Sequence, residues 1–196
     1  IPNAEEFASW IESIKGHKVE VIKHVHRPVP LHKAFFDAEL GICELKEIKD
    51  AANMPHYEDL WKKKGKKGKR QMMPAPSHIE LIKGIQDKLP CLFFNFSRMD
   101  CQKKALELSK LNLFPVDSRI VSIVRDKLKD VPPEINQLRS TQVLRDILPK
   151  GIGFHHAGLI PIMKELVEEL FGKGLIKVLY TTETFAVGIN MPAKSV

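Results

Sequence analysis

The sequence predicts an α/β protein built on a parallel sheet with helices covering both faces. Short, largely apolar runs occur at CLFFNF (Cys91 to Phe96) and IKVLYT (Ile176 to Thr181), the pattern of strands buried on both sides. Between and around them, apolar residues recur at intervals of three and four, the period of amphipathic helices. Strands alternating with helices imply parallel crossovers, and such sheets bind ligands at the carboxyl ends of their strands.

The elements follow in order. Glu5 to Lys15 reads as a helix with Phe7, Trp10, Ile11 and Ile14 on one side and Gly16 as its cap. VEVIKHV (Val19 to Val25) alternates as a strand does until Pro28 and Pro30 stop it, and HKAFFDAEL (His32 to Leu40) reads as a second strand. From Gly41 to Pro76 the period dissolves, so residues 41–76 are expected to be an inserted segment with at most short helices. Ser77 with Glu80 three residues on has the spacing of a capping box, opening a helix that runs to Lys88 with Ile79, Ile82 and Ile85 on one face. After the Cys91 strand, Ser97 to Leu111 is helical, with Cys101, Ala105 and Leu108 turned inward. Two helical stretches, Ser118 to Lys129 and Glu134 to Leu148, flank the Pro132-Pro133 break. GIGFHHAG (Gly151 to Gly158) is a short strand running into a turn. Ile160, Met163, Val167, Leu170 and Phe171 line the next helix, closed by Gly172 and Gly174 ahead of the Ile176 strand.

At 196 residues and 43% hydrophobic, the chain suits one domain with its own core, with or without an insertion. No apolar run nears the roughly 18 residues that cross a bilayer, so no membrane partner is expected. The opening IPNAEEFASW has neither a basic start nor an apolar block, so no secretory signal is read there, and the absent methionine suggests a piece of something longer. The expected location is intracellular, cytoplasmic, or nuclear in a eukaryote. Cys43, Cys91 and Cys101 form no CxxC pair and are expected as buried thiols. His155 and His156 are adjacent rather than four apart, so no metal site is expected.

Net charge is +7, from 31 basic and 24 acidic residues, and it has one location. KKKGKKGKR carries Lys62, Lys63, Lys64, Lys66, Lys67, Lys69 and Arg70 and no acid; without those seven, basic and acidic residues balance at 24 each. Seven charges in nine residues repel one another and cannot pack, so a solvated tether is expected. An auxiliary contact with phosphate is compatible with it.

Three strand ends are candidates for a site: Asn95-Phe96-Ser97-Arg98, His155-His156-Ala157-Gly158 and Thr181-Thr182-Glu183-Thr184. Each sets small hydroxyl, amide or imidazole groups before a helix start, whose free N–H groups and positive dipole end suit anionic oxygens. Taken singly, each reads as plain capping. Three on one sheet would line a rim that reads a sugar-phosphate backbone by shape, without base preference. A conventional catalytic set is not expected. GKKGKR (Gly65 to Arg70) approaches a GxxxxGK[ST] phosphate loop but has the wrong spacing and no strand before it; no paired acidic motif follows a buried strand, and no GxSxG elbow occurs. Alone, the chain is not expected to hydrolyse a nucleotide.

Longer motifs carry a family resemblance. FNFSRMDC (Phe94 to Cys101), HHAGLIP (His155 to Pro161) and TTETFAVGINMP (Thr181 to Pro192) resemble motifs IV, IVa and V of superkiller-type (Ski-like) DExH RNA helicases of superfamily 2. IPNAEEFASWI and RPVPL (Arg27 to Leu31) resemble the segments that follow motif III in that family. The match runs from the first residue to the last and implies the second RecA-like, or helicase C-terminal, domain, incomplete, with a parallel sheet flanked by helices. It further implies that Ser97, Arg98, His156, Gly158 and Thr182 face nucleic acid, and that Gly188 and Asn190 approach the nucleotide. ATP and Mg would serve the parent enzyme, held mainly by a first RecA-like domain of the same polypeptide, with none bound tightly here. Walker A, the DExH carboxylates and motif VI are not found in this chain, so no catalytic residue is assigned to it. Single-stranded nucleic acid, expected to be RNA, and an RNA-degradation complex would be the partners, with 3′-to-5′ translocation. Phe185 and Met191 read as core rather than contact.

Two other functions fit the residues. One is a stand-alone nucleic-acid-binding module whose main contact is the Lys62 to Arg70 loop. The other is a docking platform for a protein partner, with residues 41–76 as the contact.

Overall fold

The computed structural model describes residues 3–24, 29–37, 40–52, 76–186 and 192–196. The first helix, α1 (Ala4–Lys15), ends where expected, at Gly16 with φ of 71°, a left-handed conformation that glycine adopts without a Cβ clash. The expected strand from Val19 is not formed over residues 19–24, which are irregular. These residues run back along α1 instead of beside another strand. The Val19 N–H donates to the Glu12 carboxylate at 2.8 Å, and Lys23 pairs with Glu5. Alternation alone makes no strand where no ladder partner takes the backbone groups.

The second expected strand shortens to β1 (Phe35–Asp37), which pairs antiparallel with β2 (Gly41–Cys43), Phe36 opposite Ile42. Residues 41–76 therefore open on a strand and a helix, α2 (Leu45–Ala52), rather than on short helices alone. Residues 53–75 lie outside the described residues, and with them the seven basic side chains of the charged loop.

From Ser77 onward the expected order holds. Helix α3 (His78–Gly84) continues into a 3-10 turn at Gln86–Lys88. Ser77 takes the extended backbone of an N-cap, but its hydroxyl makes no capping bond, so the capping box is not realised. Strand β3 (Cys91–Phe94) leads to α4 (Arg98–Ser109), whose Cys101, Ala105 and Leu108 are buried as their spacing requires. Helix α5 (Ser118–Lys127) follows. The next stretch, expected as one helix, divides into α6 (Pro133–Gln137) and α7 (Arg139–Ile147) at Leu138, whose φ and ψ of −59° and 130° are extended. Strand β4 (Ile152–His155), α8 (Pro161–Gly172) and β5 (Val178–Thr181) complete the series.

The three later strands form one parallel sheet in the order β3-β5-β4, with β5 central. Every residue of β4 and β5 is buried, and neighbouring side chains along a strand point to opposite faces, so both faces are covered. Helix α4 packs against β4 and β5, α7 against α4 and β4, and α8 against β4. Tyr180, Phe154, Phe171, Leu166 and Met163 fill the core between them. Ser195 returns to the free edge of β3, accepting from the Leu92 N–H at 3.0 Å in a parallel bridge beside Cys91. No helix among the described residues is long and apolar enough to cross a membrane.

Candidate functional site

Parallel register sets the carboxyl ends of the three strands level. Thr181, the last residue of β5, lies opposite Phe94 of β3 on one side and His155 of β4 on the other. The chain leaves the sheet at all three points together. Phe94, Asn95, Phe96, Arg98, Ala157, Thr182 and Glu183 line an open cavity of about 440 Å³ there. Residues more than 80 positions apart in sequence, Arg98 and Thr182, thus share one wall.

After β3, Ser97 caps α4: its hydroxyl accepts from the Asp100 N–H at 3.4 Å, a long bond that leaves the oxygen only weakly committed. Arg98 is exposed at the first position of α4, beside the helix's free N–H groups. Asn95 is committed inward, accepting from Lys104 Nζ at 2.7 Å and donating to the Phe93 carbonyl at 3.2 Å. Phe96, between them, is fully exposed.

After β4, the two histidines turn to different tasks. His156 is buried, stacks on Phe154, and accepts the Gly158 N–H on Nδ1 at 3.1 Å. The neutral ring then carries its proton on Nε2, 2.9 Å from the Gln102 side-chain amide, and it donates there when that amide turns its oxygen to the ring. With both ring nitrogens engaged, His156 supports the exposed Gly158 turn from beneath. A Cβ on Gly158 would stand 3.2 Å from His156 Nδ1 and 3.4 Å from Arg98 Nη1, pressing on the histidine ring and touching the guanidinium. Burial lowers the His156 pKa, and the nearby Arg98 guanidinium lowers it further. His155 is also buried; its Nε2 donates to the Glu168 carboxylate at 2.8 Å and its ring meets Phe185 edge-on. Burial lowers its pKa against the opposing pull of Glu168.

After β5, Thr182 donates its N–H to the His155 carbonyl at 3.3 Å, tying the central strand's exit to that of β4. Its own carbonyl accepts from the Phe185 N–H, which closes the 3-10 turn Glu183–Ala186. Phe185 is core, as expected, against His155 and Phe171. Met191, Gly188 and Asn190 lie outside the described residues, as does the Lys62 to Arg70 loop.

The structure thus brings Ser97, Arg98, Gly158 and Thr182 to one edge of the sheet, with His156 behind them. Sequence reasoning missed Gln102 and Glu168, which hold the two histidines. Gln102 was findable, since it sits one helical turn beyond Arg98 and so shares its face of α4. Glu168 carries no such signal; only the packing of α8 on β4 brings it to His155. The free cysteines, Cys43, Cys91 and Cys101, are buried, and burial pushes the Cys101 thiol up to about 11, the reverse of a reactive nucleophile. Among the described residues no cluster suited to a metal ion occurs. What the edge offers is hydrogen-bond donors and one guanidinium, which suit anionic oxygens, facing a cavity that Phe94, Phe96 and the Glu183 carboxylate also line.

A parallel sheet flanked by helices, with its polar groups gathered at the carboxyl edge, is an α/β architecture consistent with a RecA-like domain. Comparison with known proteins places it more closely. The chain is 33% identical over 218 residues to Exosome RNA helicase MTR4 of Homo sapiens, covering 100% of this chain and 20% of that protein. It is 34% identical over 220 residues to ATP-dependent RNA helicase mtr4 of Schizosaccharomyces pombe, again 100% of this chain and 20% of the relative. Superkiller complex protein 2 of Homo sapiens is 34% identical over 220 residues, with 100% of this chain and 18% of the relative covered. No family model matches. Over its full length the chain thus matches a segment of the Mtr4- and Ski2-type DExH RNA helicases, and it spans about a fifth of the length of these relatives.

Proposed function

We propose that this chain is the strand-gripping part of the second RecA-like domain of an ATP-dependent RNA helicase that moves 3′ to 5′ along one strand. The observation that carries the reading is the level convergence of three strand ends, with Arg98, Ala157 and Thr182 around one cavity and Gly158 beside Arg98. Arg98 supplies charge to a backbone phosphate, while the Ser97 hydroxyl, the first N–H groups of α4 and Thr182 supply hydrogen bonds. Gly158 keeps the edge low enough for the strand to lie close, and His156 with Gln102 fixes that turn. None of these groups reads a base edge, so the grip is independent of sequence.

ATP and Mg belong to this reading as ligands of the parent enzyme. The two positions expected near the nucleotide, Gly188 and Asn190, fall in 187–191, outside the described residues. In this reading the chain contributes the strand contact, and hydrolysis requires a partner RecA-like domain. The relatives' names support RNA as the polymer and an exosome or superkiller assembly as the setting.

The test is binding of a short uridylate strand, followed by fluorescence anisotropy, together with ATP turnover by the chain alone. Arg98→Ala and Thr182→Val are each expected to weaken binding roughly five-fold or more, as loss of a charge-assisted or buried polar contact does. Deleting residues 62–70 should weaken it less and flatten its salt dependence. No ATP turnover is expected with or without the strand. Binding that disappears with the loop and ignores both rim substitutions would instead support the stand-alone module.

A further inference from the structure

We propose that the cavity at the ends of β3 and β5 is a nucleobase seat, with the Phe96 ring as its stacking face. The inference rests on the backbone-gripping reading and adds a second, separable contact to it. Phe96 is fully exposed, whereas Phe154, Phe171 and Phe185 are buried and Phe93 packs against the core. A phenyl ring left in water costs hydrophobic free energy unless something covers it. Its position says what covers it. It lies between Asn95 and the α4 cap Ser97, two residues before Arg98, and it lines the same cavity as Arg98 and Thr182.

Charge sets the orientation of the occupant. Arg98 attracts a phosphate on one side of the cavity, and Glu183 repels one on another. A nucleotide entering with its phosphate toward Arg98 turns its base toward the two apolar walls, Phe94 and Phe96. The one amide at hand, Asn95, is spent on Lys104 and the Phe93 carbonyl, so it does not read the base edge. The seat therefore accepts any base by its π-face, as aromatic platforms on single-strand-binding surfaces do. A protein surface covering Phe96 is the rival occupant, and it predicts no dependence on bases at all.

The experiment compares a short uridylate strand with an abasic ribose-phosphate strand of equal length, binding each to the full chain. Phe96→Ala is expected to weaken the uridylate strand roughly five-fold or more and to leave the abasic strand unchanged, the size expected from loss of one stacked base. Since the ring is fully exposed, the substitution removes no core packing. Phe96→Trp should retain binding, and its added fluorescence over wild type should be quenched by the uridylate strand but not by the abasic one. Equal losses on both strands, no loss on either, or no selective quenching would overturn the proposal. Arg98→Ala reports separately: it should weaken both strands alike. If it weakens neither while Phe96→Ala stays selective, the backbone reading fails and the base seat stands.

Discussion

Single side chains decide how this edge behaves, and His156 shows it most clearly. Its Nδ1 lone pair holds the Gly158 N–H, so the neutral ring is the structural form. His156 and His78 both have pKa values lowered chiefly by burial. As pH falls, the unfolded chain, with histidines near their ordinary value of about 6.5, binds protons first. Protonation then favours unfolding: stability is full above about pH 6.5 and is lost as pH drops toward the lower folded values, by up to ~1.4 kcal/mol per pH unit for each histidine. Urea unfolding between neutral and mildly acidic pH measures this. Stability that holds level or rises on acidification would mean that these rings are charged in the fold. The sequence revealed His156 as a residue at a strand end, but not as a support. Its burial and the Gln102 partner depend on how α4 docks against β4, which no local pattern encodes.

Among the elements, β5 carries the most. It is the central strand, it lies wholly in the core, and its Tyr180 hydroxyl donates to His78 Nδ1 at 2.8 Å, joining the sheet to α3. His78 in turn donates from Nε2 to the Glu107 carboxylate on α4 at 3.2 Å. Burial holds the Tyr180 hydroxyl well above its ordinary pKa, so it serves only as a neutral donor. Tyr180→Phe leaves the shape and orphans a part-buried acceptor, and should destabilise the fold by about 1–3 kcal/mol, read as a lower urea midpoint. An unchanged midpoint would show that the link between β5 and α3 contributes nothing. Buried strands such as β5 were legible because CLFF and VLY are consecutive apolar residues without alternation, the pattern of a sheet covered on both faces. Val19 to His24 looked as convincing by alternation and forms no strand, because a strand is defined by its partner, and α1 claimed the segment through Glu12 and Glu5. The break at Leu138 was also illegible, since nothing in Glu134 to Leu148 forbids a continuous helix.

For the molecule as a whole, the order β3-β5-β4 does what no single motif does. Three segments separated by dozens of residues leave the sheet at one level, and their polar ends become a single surface. The family resemblance rested on those same segments, and the relatives match over the full chain. The Ser195 bridge beside Cys91 was not foreseen, because residues 192–196 show no strand pattern; hydrogen bonds to Leu92, Pro90 and Lys88 hold them there. Hydrogen–deuterium exchange with and without saturating single-stranded RNA tests the convergence most directly, since it reports every backbone amide at once. The account predicts that RNA slows exchange together in three separate peptides, at 95–98, 156–158 and 181–183. Slowing in only one of these peptides, or only in residues 62–70, would contradict it.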